Sequence, residues 1–309
     1  MKAEILSILR SRNDIVSGEE LSAALGISRV SVWKHVHKLQ DLGYQIISTS
    51  GGYRLVSSPD ILFPWEYPGD AASILYFPEV TSTMDIARDL ARKNCPDLTV
   101  VIAGRQTKGR GRLKRHWLSD DGGLYFTMVL RPPIPVQLSF RVNFLASLTL
   151  ARVIREMLQI DAMVKWPNDI LVDDRKISGM LSELEAETDR VLFINVGMGI
   201  NVNNDPSQAE PGASSLNKIS GREISRKDLL TRFLEEFGHC MKNADFEDVI
   251  SEWKKYTVTL GRHVRIVTQR EESEGLAVDV DENGALVLEL ANGEQKKIIY
   301  GDCFLVPEF

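Results

Sequence analysis

The chain has 309 residues, of which 43% are apolar and 26% charged, and its formal net charge is −6. This is the make-up of an ordinary soluble protein of about two domains, or three if some are small; the negative balance excludes polyanion binding by the whole molecule, leaving only a local basic patch for nucleic acid. Cys95, Cys240 and Cys303 lack metal spacing and read as reduced thiols, and no apolar run suits a signal core or membrane span, so a cytoplasmic protein without a membrane partner is expected.

In chain order, Ile5, Leu6 and Leu9 mark one face of a first helix ending near Asn13. Ser17-Gly18-Glu19-Glu20 has the form of a capping box, opening a second helix that buries Leu21, Ala24 and Leu25. Gly26 stops it, Ser28 caps a third helix, and Val32, Val36 and Leu39 follow at helical spacing. The result is a helix-turn-helix over about 18–37. The opposite face of the third helix carries Arg29, Ser31, Lys34, His35 and Lys38, the donors with which a recognition helix meets phosphates and base edges. Gln45–Ser48 and Tyr53–Val56 flank Ser50-Gly51-Gly52 and supply a wing. The plain alternative is a small module for protein contacts. Residues 1–60 therefore read as a winged helix-turn-helix DNA-binding domain. Residues 61–70, with Pro64 and Pro68, read as a linker.

Residues 71–257 form the second domain. A short strand at Ile74–Phe77 leads to Thr81-Ser82-Thr83-Met84-Asp85, whose hydroxyls suit a helix N-terminus that faces a polar ligand head. Between an apolar strand at Val100–Ala103 and another at Leu124–Leu130 lies the stretch from Gln106 to Trp117. Five of its twelve residues are cationic (Lys108, Arg110, Arg112, Lys114 and Arg115), and Gly109 and Gly111 allow positive φ or close approach. Such a loop can hold an anion with backbone N–H groups and guanidinium forks. It is neither a Walker loop nor a dinucleotide fingerprint, and taken alone it is equally a solvated basic loop. Leu138–Leu158 reads as a long helix. Lys165, set between apolar neighbours and the Trp166-Pro167 pair, calls for an anionic or carbonyl partner. Strands at Lys176–Leu181 and Arg190–Val202 follow, with Gly197 and Gly199 permitting close backbone approach. Glu183, Glu185 and Glu187 read as one solvent face. Helices around Lys227–Met241 and Phe246–Thr257 close the domain. The grouping of strands points to an α+β fold, a mixed sheet with helices. Residues 258–309 carry four short strands with Asp281–Gly284 and Ala291–Glu294 as turns, a small β-barrel.

Three motifs occur in order with fitting flanks: Gly109-Arg110-Gly111-Arg112 ending in Trp117, Lys165-Trp166-Pro167-Asn168-Asp169, and Lys176-Ile177-Ser178-Gly179. With the winged helix before them and the barrel after, they resemble bacterial bifunctional biotin–protein ligases and biotin-operon repressors. The resemblance implies a C-terminal barrel of the SH3 kind. It implies an enzyme that makes biotinyl-5′-AMP from biotin and ATP with Mg²⁺ and passes biotin to a lysine of the biotin carboxyl carrier protein. By this resemblance Ser82, Thr83, Met84 and Gln106 would meet biotin's ureido head. Arg110, Gly111 and Arg112 would cover carboxylate and phosphate, with Lys165 against both. Trp117 would border adenine, and Lys176 and Asn201 would be further adenylate contacts. Arg112 and Lys165 would carry the catalysis; no metal ligand can be named. The adenylate would also act as corepressor, favouring a homodimer on operator DNA. A lipoate–protein ligase, a ligand-sensing repressor without turnover, and an enzyme whose N-terminal module no longer binds DNA remain alternatives at this stage.

Overall fold

Apolar residues at helical spacing build the N-terminal core. In the computed structural model, which describes residues 1–12, 14–67, 73–208, 210–243 and 248–306, the chain divides into two compact units, Met1–Gly69 and Asp70–Phe309. The first contains α1 (Lys2–Arg12), α2 (Gly18–Leu25), α3 (Arg29–Asp41) and the antiparallel pair β1 (Gln45–Thr49) and β2 (Gly52–Ser57). Ile5, Leu6, Leu9, Leu21, Val32, Val36 and Leu39 are buried together. The side chain of Ser17 accepts the Glu20 N–H at 3.0 Å, Gly26 takes φ +63°, and Ser28 accepts the Ser31 N–H at 3.2 Å, so the expected caps form. Ala24 is exposed instead of buried, because α2 is only eight residues long and turns Leu21 alone fully inward. Val16 and Tyr53 exchange two backbone hydrogen bonds of 2.9 Å, fastening the wing to the strand-like stretch before α2. The described part of the expected linker packs within this unit. Phe63 stacks on Trp65 at 4.4 Å, and Glu66 pairs with Arg10 at 2.9 Å. Residues 68–70 of that linker lie outside the described residues.

The second unit is built on a seven-stranded sheet in the order β3-β4-β5-β9-β8-β7-β6. Its strands are β3 (Ile74–Val80), β4 (Thr99–Gln106), β5 (Leu124–Leu130), β6 (Met163–Lys165), β7 (Asp169–Val172), β8 (Arg175–Glu187) and β9 (Arg190–Ile200). Only β3 and β4 are parallel, so the sheet is mixed. On β5, Phe126 packs on Phe233 of α7 (Arg226–Asn243), while the neighbouring Thr127 donates to Thr83 of α4 (Thr83–Arg92). Successive side chains of a strand point to opposite faces, so α4 and α7 cover opposite sides. The long α5 (Phe140–Leu158) packs beside α7, with α6 (Leu216–Ser220) and α8 (Val249–Lys254) completing the helices. The short α6 had no clear signal in the sequence.

The C-terminal sheet runs β13-β12-β11-β10-β14, all antiparallel. Its strands are β10 (His263–Val267), β11 (Glu272–Val280), β12 (Leu286–Glu289), β13 (Gln295–Ile298) and β14 (Asp302–Leu305). The fifth, β14, was not expected: its four residues alternate too briefly to register as a strand. Among the described residues β13 and β14 are not paired with each other. This sheet is tied to the larger one through Trp166, which is 1% exposed. Its backbone N–H donates to Thr259 Oγ1 at 2.9 Å and its indole N–H to the Gly284 carbonyl at 3.0 Å.

Candidate active site

The N-terminus of α4, the glycine–arginine loop, the glycines of β8 and β9 and the start of β14 converge on one cavity of about 270 Å³. Ser82 caps α4 and is fully buried, yet its hydroxyl has no hydrogen-bond partner among the described residues. Its neighbour is fully committed. Thr83 gives its backbone N–H (2.8 Å) and its hydroxyl (3.1 Å) to Gln106 Oε1, and accepts from Thr127 at 2.8 Å. Gln106 in turn donates to Ser119 at 2.9 Å, and Ser119 donates to the Trp117 carbonyl at 3.1 Å. Gln106 thus fixes the helix terminus against the loop, and Ser82 is the polar group left for a ligand.

Glycines form the floor. Gly179 of β8 is paired with Gly199 of β9, and Gly197 lies two residues earlier on the same face. A Cβ on Gly197 would come within 2.5 Å of Met84 Sδ, and one on Gly199 within 2.4 Å of the Trp117 indole. Met84 and Trp117 therefore lie directly on the sheet backbone. The Trp117 indole N–H is buried without a partner among the described residues. The loop itself is a small hairpin, with Arg110 bridged to His116 and the Trp117 N–H donating to the Gly109 carbonyl at 2.9 Å. Gly109 is needed for close approach, since a Cβ there would lie 2.3 Å from the Trp117 carbonyl. The left-handed residue of the loop is Leu113, at φ +50°, and neither Gly109 nor Gly111 has positive φ.

Five cations, Arg110, Arg112, Arg115, Lys165 and Lys176, line the cavity in different states. The Arg110 guanidinium is held by Asp85 at 3.0 Å and by Glu183. Glu183 and Glu185 are thus not an idle solvent face: they pair with Arg110 and Arg88, and with Arg92, because this face of β8 looks toward α4 and the loop. Lys165 (3.3 Å) and Lys176 (3.2 Å) share the single carboxylate of Asp169, and Lys176 lies 5.3 Å from the Trp117 ring centre. Arg112 is different. It donates to Asn168 Oδ1 at 3.0 Å and to the Gly301 carbonyl at 2.8 Å, both uncharged, and makes no ion pair among the described residues. Burial lowers its pKa, opposed by the nearby Asp302 and Asp169 carboxylates. A half-buried cation hydrogen-bonded only to neutral oxygens is suited to an anion.

Ser82, Thr83, Met84, Gln106, Arg110, Gly111, Arg112, Trp117, Lys165 and Lys176 all line this cavity. Asn201 does not. It is buried and its Oδ1 accepts from Asn204 at 3.0 Å, at the end of β9. Sequence reasoning missed Asn168 and Asp169 as partners of the cations, although both belong to a motif it singled out. It also missed Asp302, Cys303 and Phe304, which reach the cavity from β14. Asp302 pairs with Arg115 at 2.5 Å. No pattern in the C-terminal sequence marks these residues; only their packing does.

In the first unit, Arg29, Lys34 and Lys38 are exposed on α3, as expected of a nucleic-acid face. Ser31 is half-buried within the cap, its hydroxyl 3.0 Å from that of Ser28, and His35 is half-buried as well. Val30 (63% exposed) and Trp33 (52%) stand on the same helix, and Trp33 meets the His37 ring edge-on at 4.8 Å. Their exposure was not anticipated, since apolar residues in a helix read as core.

Comparison with known proteins extends over the same segments. A helix-turn-helix domain matches residues 2–54, the biotin/lipoate A/B protein ligase family residues 76–201, and the biotin protein ligase C-terminal domain residues 259–306. The bifunctional ligase/repressor BirA of Bacillus subtilis is 34% identical over 300 residues, covering 92% of each chain. That of Escherichia coli is 29% identical over 295 residues, covering 92% of this chain and 91% of its own. Among solved structures, biotin protein ligase from Aquifex aeolicus in complex with biotin and ATP superposes with a TM-score of 0.65 at 30% identity, covering 76% of this chain and 99% of that one. Extent and identity together assign the chain: it belongs to the biotin–protein ligase family, in the bifunctional ligase/repressor form that couples an N-terminal helix-turn-helix to the ligase.

Proposed function

We propose that this protein joins biotin and Mg·ATP into biotinyl-5′-adenylate and transfers biotin to a lysine of a carboxylase carrier protein. In the same reading it represses biotin synthesis or uptake genes in response to biotin. The observation that carries the ligase half is the placement of Arg112, a half-buried cation hydrogen-bonded to neutral partners, in a cavity that also offers the Ser82 hydroxyl, unpartnered among the described residues. Ser82 suits the ureido head, with Met84 covering the ring. Gln106 acts here by holding Thr83, not by a free amide. Arg112 and Lys165 draw the carboxylate and the α-phosphate together, and Trp117 and Lys176 border the adenylate. Two anions must meet, and the transition state spreads further negative charge. Fixed cations stabilise it without reorganising, so positioning and electrostatics supply the rate and no protein nucleophile is required. Mg²⁺ enters with the ATP phosphates, and no protein ligand is assigned to it.

The repressor half rests on the winged helix and its exposed cations. Operator DNA is the partner, read by a homodimer that forms when the adenylate is bound. A two-fold dimer presents two recognition helices to a two-part site. The decisive experiment is exchange of labelled pyrophosphate into ATP by the purified protein with biotin or with lipoate. Exchange that requires biotin is expected. Exchange with lipoate alone would reassign the substrate, and none with either would leave a sensor without turnover.

A further inference from the structure

Large apolar side chains gather beside the cavity in a way that the adenylation chemistry does not use. Ile299 is 79% exposed and Tyr300 51%; Leu113 and Phe304 are 39% and 38% exposed. The loop that carries Leu113 is tied to the segment that carries the other three: Arg112 donates to the Gly301 carbonyl and Arg115 pairs with Asp302. Phe304 lines the cavity, and the guanidiniums of Arg115 and Arg265 lie 6.0 and 5.1 Å from its ring centre. Large exposed apolar side chains grouped on joined segments, with charge beside them, mark an interaction surface. Biotin and ATP enter the cavity, but an acceptor lysine must be delivered by a folded protein. A lysine side chain is short, so its owner's backbone must come down at the rim of the cavity, where this patch lies.

We propose that Ile299, Tyr300 and Leu113 form the docking surface for the carrier protein, taking an apolar face next to its acceptor lysine. Arg115 and Arg265, whose side chains are 58% and 45% exposed, stand beside that face, each paired within the chain, with Asp302 at 2.5 Å and Glu272 at 3.4 Å. The proposal rests on the reading of the cavity as a biotin–protein ligase site. It accounts for two apolar residues at a strand-to-strand turn, where a polar pair would be expected.

The test uses full-length protein carrying Ile299→Ser and Tyr300→Ala, with a purified carboxylase carrier domain as acceptor and hydroxylamine as a small one. Biotin-dependent pyrophosphate exchange and transfer to hydroxylamine should stay within about twofold of wild type. The KM for the carrier domain should rise about tenfold, and Ile299→Leu should retain the wild-type value. Unchanged carrier kinetics would overturn the proposal. So would an equal loss of exchange, which would place the turn in the chemistry or in folding. Weakened self-association with unchanged carrier kinetics would assign the patch to a second copy of the chain instead. Failure of the wild type to exchange with biotin would remove the underlying reading and is distinct from all of these.

Discussion

At the scale of single residues, the cavity separates cations that hold structure from one that awaits charge. Arg110 is neutralised by two carboxylates, and Lys165 and Lys176 divide one between them. Arg112 has no carboxylate paired to it among the described residues, so replacing it removes the donor most specific to an anionic ligand. Arg112→Gly is expected to lower the adenylation rate by about 10²–10³ and to release adenylate to solvent. Single-turnover trapping of the adenylate measures both, and retention equal to wild type would remove Arg112 from the assigned role. Cys303 has the opposite character. Burial pushes its thiol pKa up to about 12 from the ordinary 9, only partly offset by Lys165. The unfolded chain gives up this proton at lower pH than the fold does. The contribution is therefore intact below about 9 and is lost as pH rises toward 12. Denaturant midpoints should fall across that window, and less steeply in Cys303→Ala. Native protein at pH 8 should resist alkylation at this position.

At the scale of elements, glycine placement decides what each strand can carry. Gly52 opens β2 at φ +141°, and a Cβ there would sit 2.1 Å from the Val16 carbonyl. That carbonyl accepts the Tyr53 N–H, the bond that fastens the wing. Gly52→Ala must push the wing away from α2. Operator affinity is expected to drop at least tenfold while biotin-dependent pyrophosphate exchange stays at the wild-type level. Mobility-shift titration beside the exchange assay separates these effects, and an equal loss in both would show that the wing is not a separate element. In the second unit the glycines of β8 and β9 serve close packing instead of a turn. They remove side chains from the sheet so that Met84 and Trp117 can lie on its backbone.

At the scale of the whole molecule, the proposed reading makes active-site occupancy and DNA binding parts of one linked equilibrium. If the adenylate favours the dimer, the dimer must by reciprocity favour the adenylate. Sedimentation without ligand should give a monomer, and addition of biotin with ATP should give a dimer at the same concentration. Dimerisation that ignores the ligand would remove the switch while leaving the ligase intact.

Much of this was legible in the chain itself. Helix spacing, two serine caps and Gly26 set out the winged helix, since each acts within a few residues of sequence. The glycine–arginine, Lys165 and Lys176 motifs brought six of the eleven expected ligand residues to one cavity, and Ser82, Thr83, Met84 and Gln106 brought four more, because each short stretch fixes its own local backbone. Asn201 was outside it, since its distance from the cavity depends on where β9 ends. What only the tertiary structure decided is which charges remain available. Arg110 and Arg112 are two residues apart in the same loop, yet one is neutralised by Asp85 and Glu183 while the other, among the described residues, hydrogen-bonds only neutral oxygens. The carbonyl that holds Arg112 comes from Gly301, 189 positions away, on a sheet that local patterning marked as separate from the site. Charge pairing is set by distance in space, and a sequence reports only distance along the chain.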